Sequence, residues 1–284
     1  MSLLTIARLT FQEAWRKKLV WVALALGSAF LALFALGLYF ILREIQESSF
    51  RGGMTEAALR LEQTQASGLL LIMGLFVINF LIIMMTALTS AGALSGEISS
   101  HTIQTIAAKP IPRRSIIWGK WLGHGLMVML YIAFMFSGLT LVTYIMSGYI
   151  PPNFWAGLAL LSLEGMTVLS LSIFGGTFLS TLANGVLVFM LYGLAFVGSW
   201  VEQIGAALES ETAVQVGVIA SLIMPSETMW RMVSDLLQPP LVRGMGFTPF
   251  TLFSKPSNAM VIYALIYIAA LLAGALYQFE RRDL

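Results

Sequence analysis

The chain has 284 residues, 58% of them hydrophobic and only 11% charged, with a formal net charge of +2 and a mean hydropathy of +0.85. Soluble domains carry about a quarter of their residues as charges, so this composition excludes water as the main solvent. The small net charge, with no basic stripe interleaved with aromatics, excludes a nucleic-acid binder, and the absence of cysteine excludes a disulfide framework, a thiolate metal site and a Cys nucleophile.

Residues 2–17 precede the first long apolar run and predict an amphipathic helix. At 100° per residue, Leu3, Leu4, Ala7, Phe11, Ala14 and Trp15 share one side, and Thr5, Arg8, Gln12, Glu13 and Arg16 the other. Ile6 and Leu9 depart from the pattern. Such a helix lies in the membrane interface; the alternative is a basic flank that only sets orientation. The apolar run from Leu19 to Leu42 is too long for a signal-peptide core, and no small-x-small cleavage site follows it, so it is expected to be a retained helix.

A rise of about 1.5 Å per residue across about 30 Å of hydrocarbon calls for roughly 20 apolar residues per span. Six stretches meet that requirement, at about 19–42, 67–94, 115–147, 154–179, 185–204 and 259–279. The fold class expected is therefore an all-α membrane protein, a single transmembrane domain over 1–284. The second and third stretches exceed the bilayer and should protrude as stalks. Only Ser180–Asn184 separate the fourth from the fifth, which makes those two antiparallel neighbours.

Two connections carry sequence of their own. Residues 43–66 are polar with mixed charge, a loop or a short helix. Residues 205–258 are half apolar: Val214–Met224 predicts a short helix ending at Pro225, too short to span. Ser226 is then placed to cap a second helix with Met229, Trp230, Val233, Leu236 and Leu237 on one face, before Pro239 and Pro240.

Charge asymmetry sets the orientation. One side holds ten basic residues (Arg8, Arg16, Lys17, Lys18, Lys109, Arg113, Arg114, Lys120, Arg281 and Arg282) against four acidic ones (Glu13, Glu97, Glu280 and Asp283). The other side holds six basic and nine acidic residues. By the positive-inside tendency both termini are expected in the cytoplasm, which an even number of spans permits.

The cytoplasmic connection between the second and third spans contains Glu97, Thr102, Ile106, Pro110, Arg113, Ile116, Ile117, Gly119 and Lys120. In this order and spacing it resembles the central segment of type 2 ABC transporter permeases: an acidic residue, a Gly-Thr pair, a short apolar helix, Pro, Arg, two apolar residues and Gly-Lys. His101 stands where that family has the glycine. The closing Phe279-Glu280-Arg281-Arg282-Asp283-Leu284 is similar to the family's ending, and the chain looks like the permeases of nitrous-oxide-reductase maturation transporters. Taken with the spans, the resemblance covers essentially the whole chain.

The physical reading of the segment is a short helix over 97–108 held parallel to the membrane, with Pro110 and Pro112 preventing its continuation into the third span. The resemblance implies that this is a coupling helix, that Glu97, Thr102, Ile106, Pro110, Arg113, Gly119 and Lys120 connect it to a cytoplasmic ATP-binding subunit in two copies, and that the permease is a homodimer. A basic turn needed only for topology is the alternative. The chain has no GxxxxGK[ST] phosphate loop, so it is not expected to be an enzyme. ATP and magnesium belong to the partner, and no cofactor is expected on this chain.

Glu164 is placed about ten residues into the fourth span, near the bilayer centre, where a carboxylate faces a bundle interior or a cavity. It is a candidate for the substrate pathway together with Asn79 and Thr167, or else a protonated hydrogen bond between helices. Other polar residues in the second and third spans suit interhelical bonding, and Gly92 with Gly96 and Gly119 with Gly123 suit close helix approach. Sixteen methionines without Cys or clustered His read as packing rather than a copper path. Two other functional classes stay open, an ion-gradient-driven transporter and a non-transporting membrane anchor or assembly subunit. The first requires repeats, embedded charges or broken helices.

Overall fold

The computed structural model describes residues 3–99, 112–238 and 253–281. Its elements in order are α1 (Leu3–Arg16), α2 (Lys18–Gly52), α3 (Glu56–Ser90), α4 (Ser95–Ser99), α5 (Arg113–Ser147), α6 (Phe154–Gly175), α7 (Thr181–Ala207), α8 (Glu211–Ile223), α9 (Ser226–Leu237) and α10 (Ala259–Glu280). The protein is all-α, and among the described residues six helices are long and apolar enough to cross a membrane: α2, α3 running on into α4, α5, α6, α7 and α10.

The spanning helices are longer than the apolar runs alone require. Residues 43–66 are not a separate loop: α2 continues to Gly52 and α3 starts at Glu56. Pairs four residues apart, Arg43–Glu47 at 2.9 Å and Arg60–Glu56 at 2.7 Å, support these polar extensions. The turn between them uses Gly53 at φ 62°, a left-handed C-cap, and Thr55, whose hydroxyl accepts from Ala58 N.

α6 is the axis of the bundle and packs against α3, α5, α9 and α10. Leu71, Leu75, Ile78 and Ile82 of α3, Val128, Ile132, Phe136 and Leu139 of α5, Leu161 of α6, and Met229 and Val233 of α9 form the main core. Large apolar side chains face outward along α2, α7 and α10, among them Phe40, Leu182, Met190 and Ile266. On a chain of this hydropathy such faces suit acyl chains rather than water.

α1 lies on α5. Its buried residues are Ile6, Thr10 and Ala14, one face at i, i+4, i+8. Ile6, which departs from the expected stripe, is thus at the centre of the protein-facing side. Leu4 and Trp15 are exposed and available to lipid. Close approach explains the difference, because a Cβ at Gly119 would meet Ile6 Cγ2 at 2.6 Å and one at Gly123 would meet the Ala7 carbonyl oxygen at 2.6 Å. The Gly119–Gly123 spacing therefore forms the seat of α1. Gly123→Leu is expected to lift α1 from α5 at a cost of about 1–3 kcal/mol, and faster proteolysis at Arg8 and Arg16 in the purified variant checks it.

The segment after α7 is a hairpin. α8 packs antiparallel along α7, stops at Met224–Pro225, and is followed by α9, which packs on α6. The carbonyls left over at the end of α8 are used: Tyr263 and Tyr267 of α10 donate their hydroxyls to Leu222 O at 2.6 Å and Ile223 O at 2.9 Å. Met229, Trp230, Val233 and Leu237 form the buried face of α9, with Leu236 partly buried. The expected cap is not made. Ser226 is the first residue of α9 rather than its N-cap, which is Pro225, and the Ser226 hydroxyl has no partner among the described residues.

Candidate functional site

The α3–α5 connection begins with a break in the helix. Ala91–Leu94 form turns, after which α4 resumes for one turn and a half. Asn184 of α7 occupies the break, fully buried, donating from Nδ2 to Ala91 O at 3.0 Å and to Ser172 O of α6 at 2.8 Å. Ser95 and Thr181 share a hydrogen bond at 3.0 Å, which ties α4 to the start of α7.

α4 is also bolted to α5. Lys120 Nζ pairs with Glu97 Oε1, with Lys120 buried and Glu97 nearly so. The next residue, Trp121, donates from Nε1 to Ser170 Oγ of α6 at 2.8 Å. The first residues of α5 hold the end of α10: Arg113 donates to Glu280 O at 2.9 Å and Phe279 O at 3.3 Å, and Arg114 pairs with Glu280 at 2.6 Å. Two guanidinium groups there complement the negative end of the α10 dipole. The Arg114 guanidinium holds the Glu280 carboxyl below its ordinary range.

Of the residues expected to couple this connection to a partner, the structure brings Glu97, Lys120, Gly119 and Arg113 together at one end of the bundle. All four serve internal contacts: an ion pair, the seat of α1 and the cap of α10. Thr102, Ile106 and Pro110, and residues 100–108 of the expected coupling helix, lie outside the described residues. Sequence reasoning missed Asn184, Thr181, Ser95, Trp121 and Ser170. A lone Asn beginning an apolar run was the available signal.

This arrangement can transmit force. A push on α4 reaches α5 through a buried ion pair, α7 through a hydroxyl pair and α6 through Asn184, and none of these links involves a long exposed side chain. The family described as ABC-2 family transporter protein matches residues 4–284. The chain belongs to that family. It is therefore a multi-pass membrane permease subunit rather than a catalyst, and membership implies association with a nucleotide-binding subunit. No curated protein matches the permease at a significant level.

The permease holds a second polar cluster around α9. Glu164 of α6 is fully buried, as the sequence leads one to expect, but it is not the only buried charge. Arg231 of α9 pairs with Glu202 of α7 at 2.8 Å and donates to Ser221 of α8 at 3.2 Å. Glu202 also accepts from Ser254 Oγ at 2.6 Å. Both partners of this pair are about 5% exposed. Thr167, expected beside Glu164, donates its hydroxyl to Leu163 O at 2.8 Å and is satisfied within its own helix.

Glu227, in the first turn of α9, is buried as well. Burial lifts its carboxyl to about 8 against the opposing pull of Arg231. Because its folded value lies above the ordinary 4.5, the native state holds this proton more tightly than the unfolded chain. Its contribution to stability is full in acid and is lost as pH rises through about 8. Glu227→Gln is expected to flatten the fall of the unfolding midpoint between pH about 4.5 and pH about 8, as measured by a thermal scan at each pH.

Proposed function

We propose that the permease is the membrane half of an ATP-driven exporter. Two copies of the chain form a homodimer with the translocation path between them. Two ATP-binding subunits, carrying ATP and magnesium, dock at the α4 end on the cytoplasmic face of a prokaryotic inner membrane. Glu97, Thr102, Ile106, Pro110, Arg113, Gly119 and Lys120 belong to the coupling element. In this reading Thr102 and Ile106 meet the partner, while Glu97, Gly119, Lys120 and Arg113 fix the element to the bundle.

The observation that carries this reading is the set of short links joining α4 to α5, α6 and α7. A turn serving topology alone has no need of a buried ion pair or of an Asn spanning a helix break. Glu164 and Asn79 sit inside one protomer rather than on an outward face, so they act on the path through the packing of α6 and α3 rather than by lining it.

Co-expression with an ATP-binding subunit tests the reading. The expected result is a complex of two chains of each kind whose ATP hydrolysis is stimulated by transported substrate. A complex whose hydrolysis no substrate changes, with no transport in vesicles, identifies an anchor instead.

A further inference from the structure

α1 and the start of α2 form an elbow whose outer side is both aromatic and basic. Ile6, Thr10 and Ala14 face α5; at 100° per residue Leu4, Trp15 and Arg8 fall within an arc of about 40° on the side away from it. The helices meet at Lys17, and across the bend Trp15 packs edge-on against Trp21, 5.5 Å between ring centroids. Trp15 and Trp21 remain 39% and 54% exposed. Lys18 lies three residues before Trp21, on the same face of α2.

We propose that this elbow is a binding surface for phospholipids of net negative charge, with Arg8, Arg16 and Lys18 meeting headgroup phosphates and Trp15 and Trp21 the start of the acyl chains. Arg8 and Arg16 are about 12 Å apart along α1, so this is a surface for several headgroups rather than a closed pocket. It rests on the chain spanning a membrane and not on an ATP-binding partner.

The balance of charge supports a negative occupant. The described acidic residues at this end of the bundle each have a basic partner: Glu13 with Lys17 at 3.3 Å, Glu97 with Lys120, and Glu280 with Arg114 at 2.6 Å. Arg8, Arg16 and Lys18 are exposed and enter no ion pair among the described residues. Asp283 is the one acidic side chain of the sequence that lies outside them. Three cations therefore stand against at most one further carboxylate, and a zwitterionic headgroup supplies no net charge to balance them.

Depth decides between a lipid and a soluble anion. The apolar run of α2 begins at Leu19, which puts Arg16 and Lys18 at headgroup level and Trp21, about 4.5 Å beyond Lys18, at the edge of the hydrocarbon. A free anion would meet the charges and leave Leu4, Trp15 and Trp21 in water; a lipid covers both.

The full chain is reconstituted alone in phosphatidylcholine vesicles holding a small fixed fraction of either phosphatidylglycerol or phosphatidylcholine with brominated acyl chains, and quenching of tryptophan fluorescence is read. Brominated phosphatidylglycerol is expected to quench more, by an excess that shrinks as salt is raised. Arg8→Gln, Arg16→Gln and Lys18→Gln should each lower the relative affinity about five-fold at low salt, and the triple variant, which keeps both indoles, should lose the excess. Trp15→Phe with Trp21→Phe keeps the charges and should also lose it, which locates the lipid at the elbow. Arg51→Gln, at the far end of α2, should change nothing. Unchanged quenching by brominated phosphatidylcholine shows that the triple variant is folded. Equal quenching of the wild type by the two lipids overturns the proposal and leaves the face to a protein partner. An excess kept by the triple variant or by the tryptophan variant overturns it too, by placing anionic lipid elsewhere. So does an excess that inorganic phosphate abolishes at matched ionic strength, which would make the elbow a site for a free anion.

Discussion

Lys120→Ala is expected to destabilise the purified permease by about 3–5 kcal/mol, because it breaks a largely buried ion pair with Glu97 that joins α4 to α5. The double variant Lys120→Met with Glu97→Gln removes both charges and should recover most of that loss, since a buried pair is worth far less than the damage done by breaking it. Unfolding midpoints of the wild type, the two single variants and the double variant form the cycle that measures this. Equal midpoints for Lys120→Ala and the wild type would mean that the pair does not hold α4. The double variant also separates two roles. If it is stable but its ATP-binding partner hydrolyses ATP without moving substrate, the pair serves coupling as well as folding.

Arg231→Met is expected to have a comparable effect, again about 3–5 kcal/mol, at the other end of the bundle. Arg231 joins α9 to Glu202 of α7 and Ser221 of α8, both inside the protein. Its loss leaves Glu202 with Ser254 as its remaining described hydrogen-bond donor. Adding Glu202→Gln should restore stability in part. A single variant as stable as the wild type would show that solvent reaches this pair.

The spans were legible because hydrocarbon imposes one rule on every residue of a helix: about 20 apolar positions in sequence. The helix ends were less legible, since the polar stretches 43–52 and 56–66 are held by pairs four residues apart and by the Gly53 turn, a local signal weaker than hydropathy. α1 shows the same limit. Its buried stripe is decided by the glycine groove of α5 rather than by its own hydrophobicity, which is why Thr10 is inside and Leu4 outside.

The coupling end was legible as a motif and not as a set of contacts. Glu97 and Lys120 were both singled out, yet their pairing across 23 residues follows from the path of α4 back onto α5, which no local pattern encodes. Asn184 and Thr181, far off in sequence, complete the same end. The α8–α9 break is legible at Pro225, but the buried charges near it are not. Glu227 and Arg231 sit in a segment whose mixed composition resembles an exposed loop, and Glu202 at the end of the fifth apolar run; the packing of α8 and α9 on α6 and α7 puts all three inside.

The account depends on the connection between α4 and α5 being a handle held by a second protein. The chain has no cysteine, so a single one can be placed at Thr102 or Ile106 without background. In sealed vesicles carrying the permease alone, a membrane-impermeant thiol reagent should label Thr102→Cys only from the cytoplasmic side. Adding the ATP-binding subunit should block that labelling, and a short crosslinker should join the two proteins. Labelling from the outside, or labelling and crosslinking that the ATP-binding subunit leaves unchanged, would contradict the account.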